Sequence, residues 1–100
     1  MTVQLLHNKE CHIWKKVLEE LRALGVEPEV ILVKNDEDAL RYRFFGSPQI
    51  LVDGRDIDPM ASQISNYHTI GCRLYIWKGK VYEYPPREML MKALFPDEKK

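Results

Sequence analysis

The chain has 100 residues, 45% of them hydrophobic and 30% charged, the composition of one soluble globular domain rather than a disordered or membrane chain. Fifteen basic residues balance fifteen acidic ones, and neither sign is gathered into a block that could neutralise a phosphate backbone, so nucleic acid is not an expected partner. No apolar run approaches the ~20 residues that span a bilayer, and the start, MTVQLLHNKE, lacks the basic leader, long apolar centre and small-residue cleavage site of a secretion signal.

The expected location is therefore the cytoplasm, with no membrane partner. In that compartment the two cysteines, Cys11 and Cys72, read as free thiols, and their spacing matches no zinc framework.

The first element is a short strand, residues 2–6 (TVQLL), which stops at the polar cluster His7, Asn8, Lys9, Glu10. A helix follows. Ile13, Trp14, Val17, Leu18, Leu21 and Leu24 recur at the spacing of one helical face, Lys15, Lys16, Glu19, Glu20 and Arg22 occupy the other, and Gly25 is its stop. Asn8 or Glu10 caps the start, which puts Cys11 in the first helical turn. The run Val30-Ile31-Leu32-Val33 predicts a second strand buried on both faces. Asn35 caps a helix from Asp36 to about Phe44, with Asp36, Glu37 and Asp38 at its positive end and Gly46 as its stop.

Residues 49–52 form a third strand, with Pro48 at its start and a turn at Asp53-Gly54. Residues 53–70 show no sustained periodicity, and one irregular helical turn is expected around Met60 to Ile64. Cys72 to Trp77 reads as the fourth strand, Lys78-Gly79 as a tight turn and Lys80 to Tyr82 as the return. Pro85 and Pro86 open a last helix whose stripe is Met89, Leu90, Ala93 and Leu94, ending at Pro96. The tail DEKK is expected to be solvated, leaving residues 1–95 as a single α/β domain.

A β-α-β-α-β-β-α chain with a cysteine at the first strand-to-helix junction and a proline opening the third strand resembles the thioredoxin-like superfamily. Within it, Gly46-Ser47-Pro48-Gln49-Ile50-Leu51-Val52-Asp53-Gly54-Arg55-Asp56, then Cys72-Arg73-Leu74-Tyr75 and Pro85-Pro86, is similar to small bacterial and archaeal glutaredoxin-like proteins. The resemblance implies a four-stranded mixed sheet in the order 2-1-3-4 with helices on both faces. It also implies Cys11 at the nucleophile position and Ser47-Pro48 at a facing cis-proline turn. Three residues after Cys11 a dithiol member has a second cysteine, whereas here stands Trp14, and His12 replaces the proline that often follows the nucleophile. The glycine pair and acid with which glutaredoxins hold glutathione after the fourth strand are replaced by Lys78-Gly79-Lys80. No cofactor is therefore expected, and glutathione is the one the resemblance would otherwise bring.

A thiol in a first helical turn meets unpaired amides and the positive end of the dipole, both of which favour thiolate. Lys9, Lys15 or Lys16 adds positive potential, and Glu10 opposes it. The plainer reading of Cys11 is a small residue sealing the helix against the sheet. In the topology implied by the resemblance, the fourth strand starts at the edge far from Cys11. Four or five residues at roughly 3.3 Å each then separate Cys72 from Cys11, beyond the ~7 Å limit for bridged Cα atoms. No Cys11–Cys72 disulfide is expected, and Cys72 reads as core.

Three functions remain open on the sequence. The first is monothiol redox exchange or thiol transfer through Cys11 with a small thiol or a protein disulfide, an activity that depends on an outside thiol for release. Ser47 and Pro48 would position that substrate, Lys9 would hold the thiolate or an anionic donor, and Trp14 and His12 would line the groove. The second is a binding module that has lost the dithiol and pairs a peptide with the Ser47 backbone as an added strand. The third is a soft-metal or organomercurial site, for which His7, Cys11 and His12 are the nearest ligands although neighbouring helix positions diverge. Asp53, Asp56 and Asp58 lack the terminal glutamate of a calcium loop and read as a polar turn.

Overall fold

Strand β1 (Val3–His7) is the axis of the sheet, and the computed structural model describes residues 1–96 around it. Its flank on one side is β2 (Glu29–Leu32), parallel, with Leu5 opposite Val30 and Leu6 opposite Ile31. On the other side lies β3 (Gln49–Val52), antiparallel, with Leu5 opposite Ile50 and Leu6 opposite Gln49. Next to β3 comes β4 (Arg55–Asp56), also antiparallel, giving a four-stranded mixed sheet in the order β2-β1-β3-β4.

The fourth strand is a different segment from the one expected. Asp53 and Gly54 both take positive φ, 53° and 82°, the conformation of a two-residue hairpin turn whose twist suits the strands it joins. The chain therefore folds straight back, and Arg55–Asp56 takes the place beside β3 that the sequence pattern predicts for residues 72–77. Those later residues form a separate two-stranded hairpin of β5 (Tyr75–Trp77) and β6 (Lys80–Tyr82). Lys78-Gly79 is the tip of that hairpin and does not follow the sheet's fourth strand, so the departure from glutaredoxins read there does not bear on the sheet. The segment that does follow β4 is Ile57-Asp58, leading into a single 3-10 helix at Pro59–Gln63.

Side-chain alternation along β1 divides the core in two. Leu5 and Val3 join Ile50, Val17, Leu21, Leu90 and Leu94 on the face covered by helices α1 (Trp14–Ala23) and α3 (Arg87–Leu94). Leu6 joins Val33, Leu51, Ala39 and Phe44 on the face covered by α2 (Asp36–Tyr42). Helices thus lie on both faces of the sheet. Helix α1 ends at Gly25, where the Val26 amide bonds back to the Leu21 carbonyl, as the sequence predicts. Helix α2 is capped by the Asn35 side chain, which accepts from the Asp38 amide at 2.9 Å.

Three boundaries differ from expectation. Strand β2 is the sheet's edge and is not buried on both faces: Val30 and Leu32 remain 39% and 37% exposed, because α1 and α3 centre on β1 and β3. Helix α2 stops at Arg43, which adopts the left-handed conformation, so Gly46 is left for another purpose. Helix α1 begins only at Trp14, with Ile13 at its N-cap, and Cys11 lies outside it. Helix α3 starts after Pro86, as its two prolines predict, while the DEKK tail lies outside the described residues. Among those residues no helix is long and apolar enough to cross a membrane.

Candidate functional site

The turn after β1 is built by Asn8, whose side chain is buried (2% exposed) although amide groups are costly to bury unpaired. Its Oδ1 accepts from the Cys11 amide at 3.0 Å and its Nδ2 donates to the Gly71 carbonyl at 2.8 Å. One side chain therefore closes the Cys11 turn and ties it to a segment that sequence reasoning placed at the far edge of the sheet. Asn8 caps this turn, not helix α1, and the dipole argument for Cys11 loses its basis because two residues, His12 and Ile13, separate Cys11 from Trp14, where the helix begins.

The same segment is held to the residue before β3. The Ser47 amide donates to Gly71 at 3.2 Å and the Ser47 carbonyl accepts from the Arg73 amide at 2.9 Å, which makes Ser47 and Cys72 partners in a parallel bridge. The Cys11 thiol donates to that Ser47 carbonyl at 3.7 Å. The Ser47–Pro48 peptide bond is cis. Such a close approach needs Gly46: a Cβ there would stand 3.0 Å from Arg73 Cγ and 3.3 Å from the Cys72 carbonyl carbon.

Cys72 is therefore neither core nor distant. It is exposed, Cys11 is buried at 5%, both are free thiols, and Ser47, which bridges to Cys72, also accepts from the Cys11 thiol and so brings the two residues to one place. Partial desolvation raises the Cys72 thiol above its ordinary range, and the charge and hydrogen bond of Cys11 raise it further, followed by Glu83 and Glu10. The spacing argument against a Cys11–Cys72 pair fails because it assigned Cys72 to the wrong strand.

Arg73 anchors this segment from the other side. It is 3% exposed, donates to Asp56 at 2.8 and 3.0 Å, lies 3.7 Å from Asp58, and stacks on Phe45 and Tyr75. Burial opposes its charge, but Tyr75, Asp56 and Asp58 outweigh it and raise the guanidinium pKa. Asp56 and Asp58 are thus ion-pair partners as well as turn residues. Tyr75, fully buried, donates its hydroxyl to the Pro48 carbonyl, a second tie between the β5 strand and the cis turn. Arg73 and Asn8 were missed as positioning residues. An arginine flanked by apolar residues, Cys72-Arg73-Leu74-Tyr75, was the available signal, since a buried arginine requires an acidic partner.

Of the sequence-predicted site residues, the structure brings together Cys11, Ser47 and Pro48. Lys9 and His12 are exposed. Trp14 stacks on His7 at 4.1 Å between ring centroids and packs on the α1 face of the core, with Lys15 above it. His7 also bonds the Asn8 carbonyl through Nδ1 at 3.0 Å. Among the described residues no group of three or more histidine, cysteine or acidic side chains is placed to hold a metal ion. A cavity of about 510 Å³ is lined by Tyr42, Gln49, Asp56 and Asp58 and by neither cysteine.

Comparison with known proteins found no match to a curated protein and none to a solved structure. Residues 7–94, which include the Cys11 turn, the Ser47–Pro48 turn and Cys72, match the sequence model of a domain of unknown function, DUF2703, and the chain belongs to that family.

Proposed function

We propose that the protein is a thioredoxin-like thiol exchange protein in which Cys11 attacks disulfides. The observation that carries this reading is the Cys11 thiol held 3.7 Å from the Ser47 carbonyl of a cis Ser47–Pro48 turn. A side chain that only filled space would not need Asn8 to fix its backbone and a second buried turn to face it. Ser47 is fully buried and its Oγ has no hydrogen-bond partner among the described residues, an uncommon expense for a hydroxyl that serves no ligand. Attack forms a mixed disulfide between Cys11 and one half of the substrate, and the other half leaves as thiolate.

Trapping tests the reading. The Cys72→Ser variant, incubated with a small protein that carries an accessible disulfide, is expected to accumulate as a covalent adduct linked through Cys11. If the substrate's thiol is never found on Cys11 by peptide mapping, the thiol exchange reading is wrong.

A further inference from the structure

Cys72 has no part in the mechanism just proposed, yet four features of the fold bring it to Cys11. Asn8 bonds both the Cys11 amide and the Gly71 carbonyl. Ser47 bridges to Cys72, and its carbonyl accepts a hydrogen bond from the Cys11 thiol. Gly46 leaves room for the Cys72 and Arg73 backbone, and buried Arg73 pins the segment to Asp56. Each contact is made by a residue that is itself buried, as a fixed geometry between two loops requires.

We propose that Cys72 is the second sulfur of this site, so that Cys11 and Cys72 together form a dithiol–disulfide couple acting on an external disulfide. The inference rests on the thiol exchange reading and deepens it, because release no longer depends on an outside thiol. In the first step the Cys11 thiolate attacks the substrate disulfide RS–SR′, the Cys11–SR bond forms, the S–S bond breaks, and R′S⁻ leaves. In the second, the Cys72 thiolate attacks Cys11 Sγ, the Cys11–Cys72 bond forms and RS⁻ leaves. The protein gives up two electrons and the substrate gains them. The two thiol protons of the protein end on RSH and R′SH.

The nearness of the two thiols, set by Asn8 and Ser47, also orders the steps. While Cys11 is free, its charge and hydrogen bond help to keep the Cys72 proton in place, so the pair releases one proton more readily than two. Once Cys11 carries the RS group it has no charge, that opposition ends, and Cys72 ionises more readily as the attack requires. The exposed face of Cys72 gives the departing thiol a path to solvent.

The test uses one equivalent of dithiodipyridine, an aromatic disulfide whose released thiopyridone absorbs light, on the reduced full-length chain. The wild type is expected to release two thiopyridones per reagent molecule and to end with no label, two hydrogens lighter, with the Cys11 and Cys72 peptides joined. Cys72→Ser is expected to release one and keep one label on Cys11. A wild type that keeps a label, with no joined peptides, overturns the couple while leaving Cys11 exchange standing. A Cys72→Ser variant that takes no label, beside a Cys11→Ser variant that does, overturns Cys11 as the attacking sulfur and the order of steps proposed here.

Discussion

Ser47 and Cys72 are bridge partners. The amide of Ser47 bonds Gly71 and its carbonyl bonds the Arg73 amide, and this single pairing carries an exposed thiol from the second half of the chain to the Cys11 turn. Gly46, with φ of 149° and its α-carbon facing Arg73, makes the approach sterically feasible.

Gly46→Ala should separate the two segments. The new Cβ meets backbone as well as the Arg73 side chain, and its φ is one that side-chain-bearing residues rarely adopt, so a loss of ~1–3 kcal/mol is expected. Thermal melting should show a midpoint lower by roughly 5–15 °C for a domain of this size, and formation of a Cys11–Cys72 disulfide should slow. An unchanged midpoint would show that the loop at residues 71–73 is not held as described.

Arg73→Leu leaves Asp56 and Asp58, whose side chains are only 11% and 18% exposed, without their cation. Breaking a buried pair from one side costs about 3–5 kcal/mol. Arg73→Leu with Asp56→Leu should recover part of that loss, because one of the stranded charges is removed. Urea denaturation of the two variants distinguishes this from a simple packing defect, which the second substitution would not repair.

The coupling of the thiols predicts a pH effect with a definite sign. Since Cys72 is raised in the folded chain, the native state binds its proton more tightly than the unfolded chain does. Stability from this group therefore falls as pH rises from the ordinary thiol value near ~8.5 towards the folded one. Removing Cys11 removes its charge and hydrogen bond but not the desolvation. In Cys11→Ser, alkylation of Cys72 should therefore reach half its maximal rate at a lower pH than in the wild type under conditions where Cys72 modification is followed by peptide mapping. A curve that does not move would mean that the two sulfurs do not sense each other.

Oxidation should stabilise the fold. A Cys11–Cys72 bond closes a loop of roughly 60 residues, for which the chain-entropy model gives about 4 kcal/mol. Native-state strain reduces that figure, so a rise in melting midpoint of on the order of 10 °C is expected on comparing oxidised with reduced protein. An oxidised form that melts at or below the reduced form would place the sulfurs out of bonding geometry.

Local signals made most of the elements legible. Asn35 before three acids marked the start of α2, Gly25 the end of α1, and Pro85-Pro86 the approach to α3, because caps and breakers act through residues close in sequence. The cis Ser47–Pro48 turn follows from the resemblance and not from local signals, which favour trans, and the local pattern puts Cys11 inside the helix that in fact begins at Trp14. Non-local partners were not legible. The Asp53-Gly54 turn marked a hairpin, but the two-residue strand beyond it is too short to show alternation, and the longer apolar run at residues 72–77 was assigned its place in the sheet. That one substitution of strands displaced Cys72 by the length of a strand. Buried hydrogen bonds of Asn8 and the Arg73 ion pairs are likewise long-range contacts, which periodicity does not encode. Strand β2 looked doubly buried because its residues are apolar, whereas its exposure is decided by which strand the helices centre on.

The most direct measurement is the rate at which the full-length protein reduces a protein disulfide with dithiothreitol as the terminal reductant, compared between wild type and Cys11→Ser. The account predicts acceleration by the wild type and a return to the uncatalysed rate in Cys11→Ser, with Cys72→Ser between them because dithiothreitol must then release its mixed disulfide. Equal rates for wild type and Cys11→Ser would contradict it.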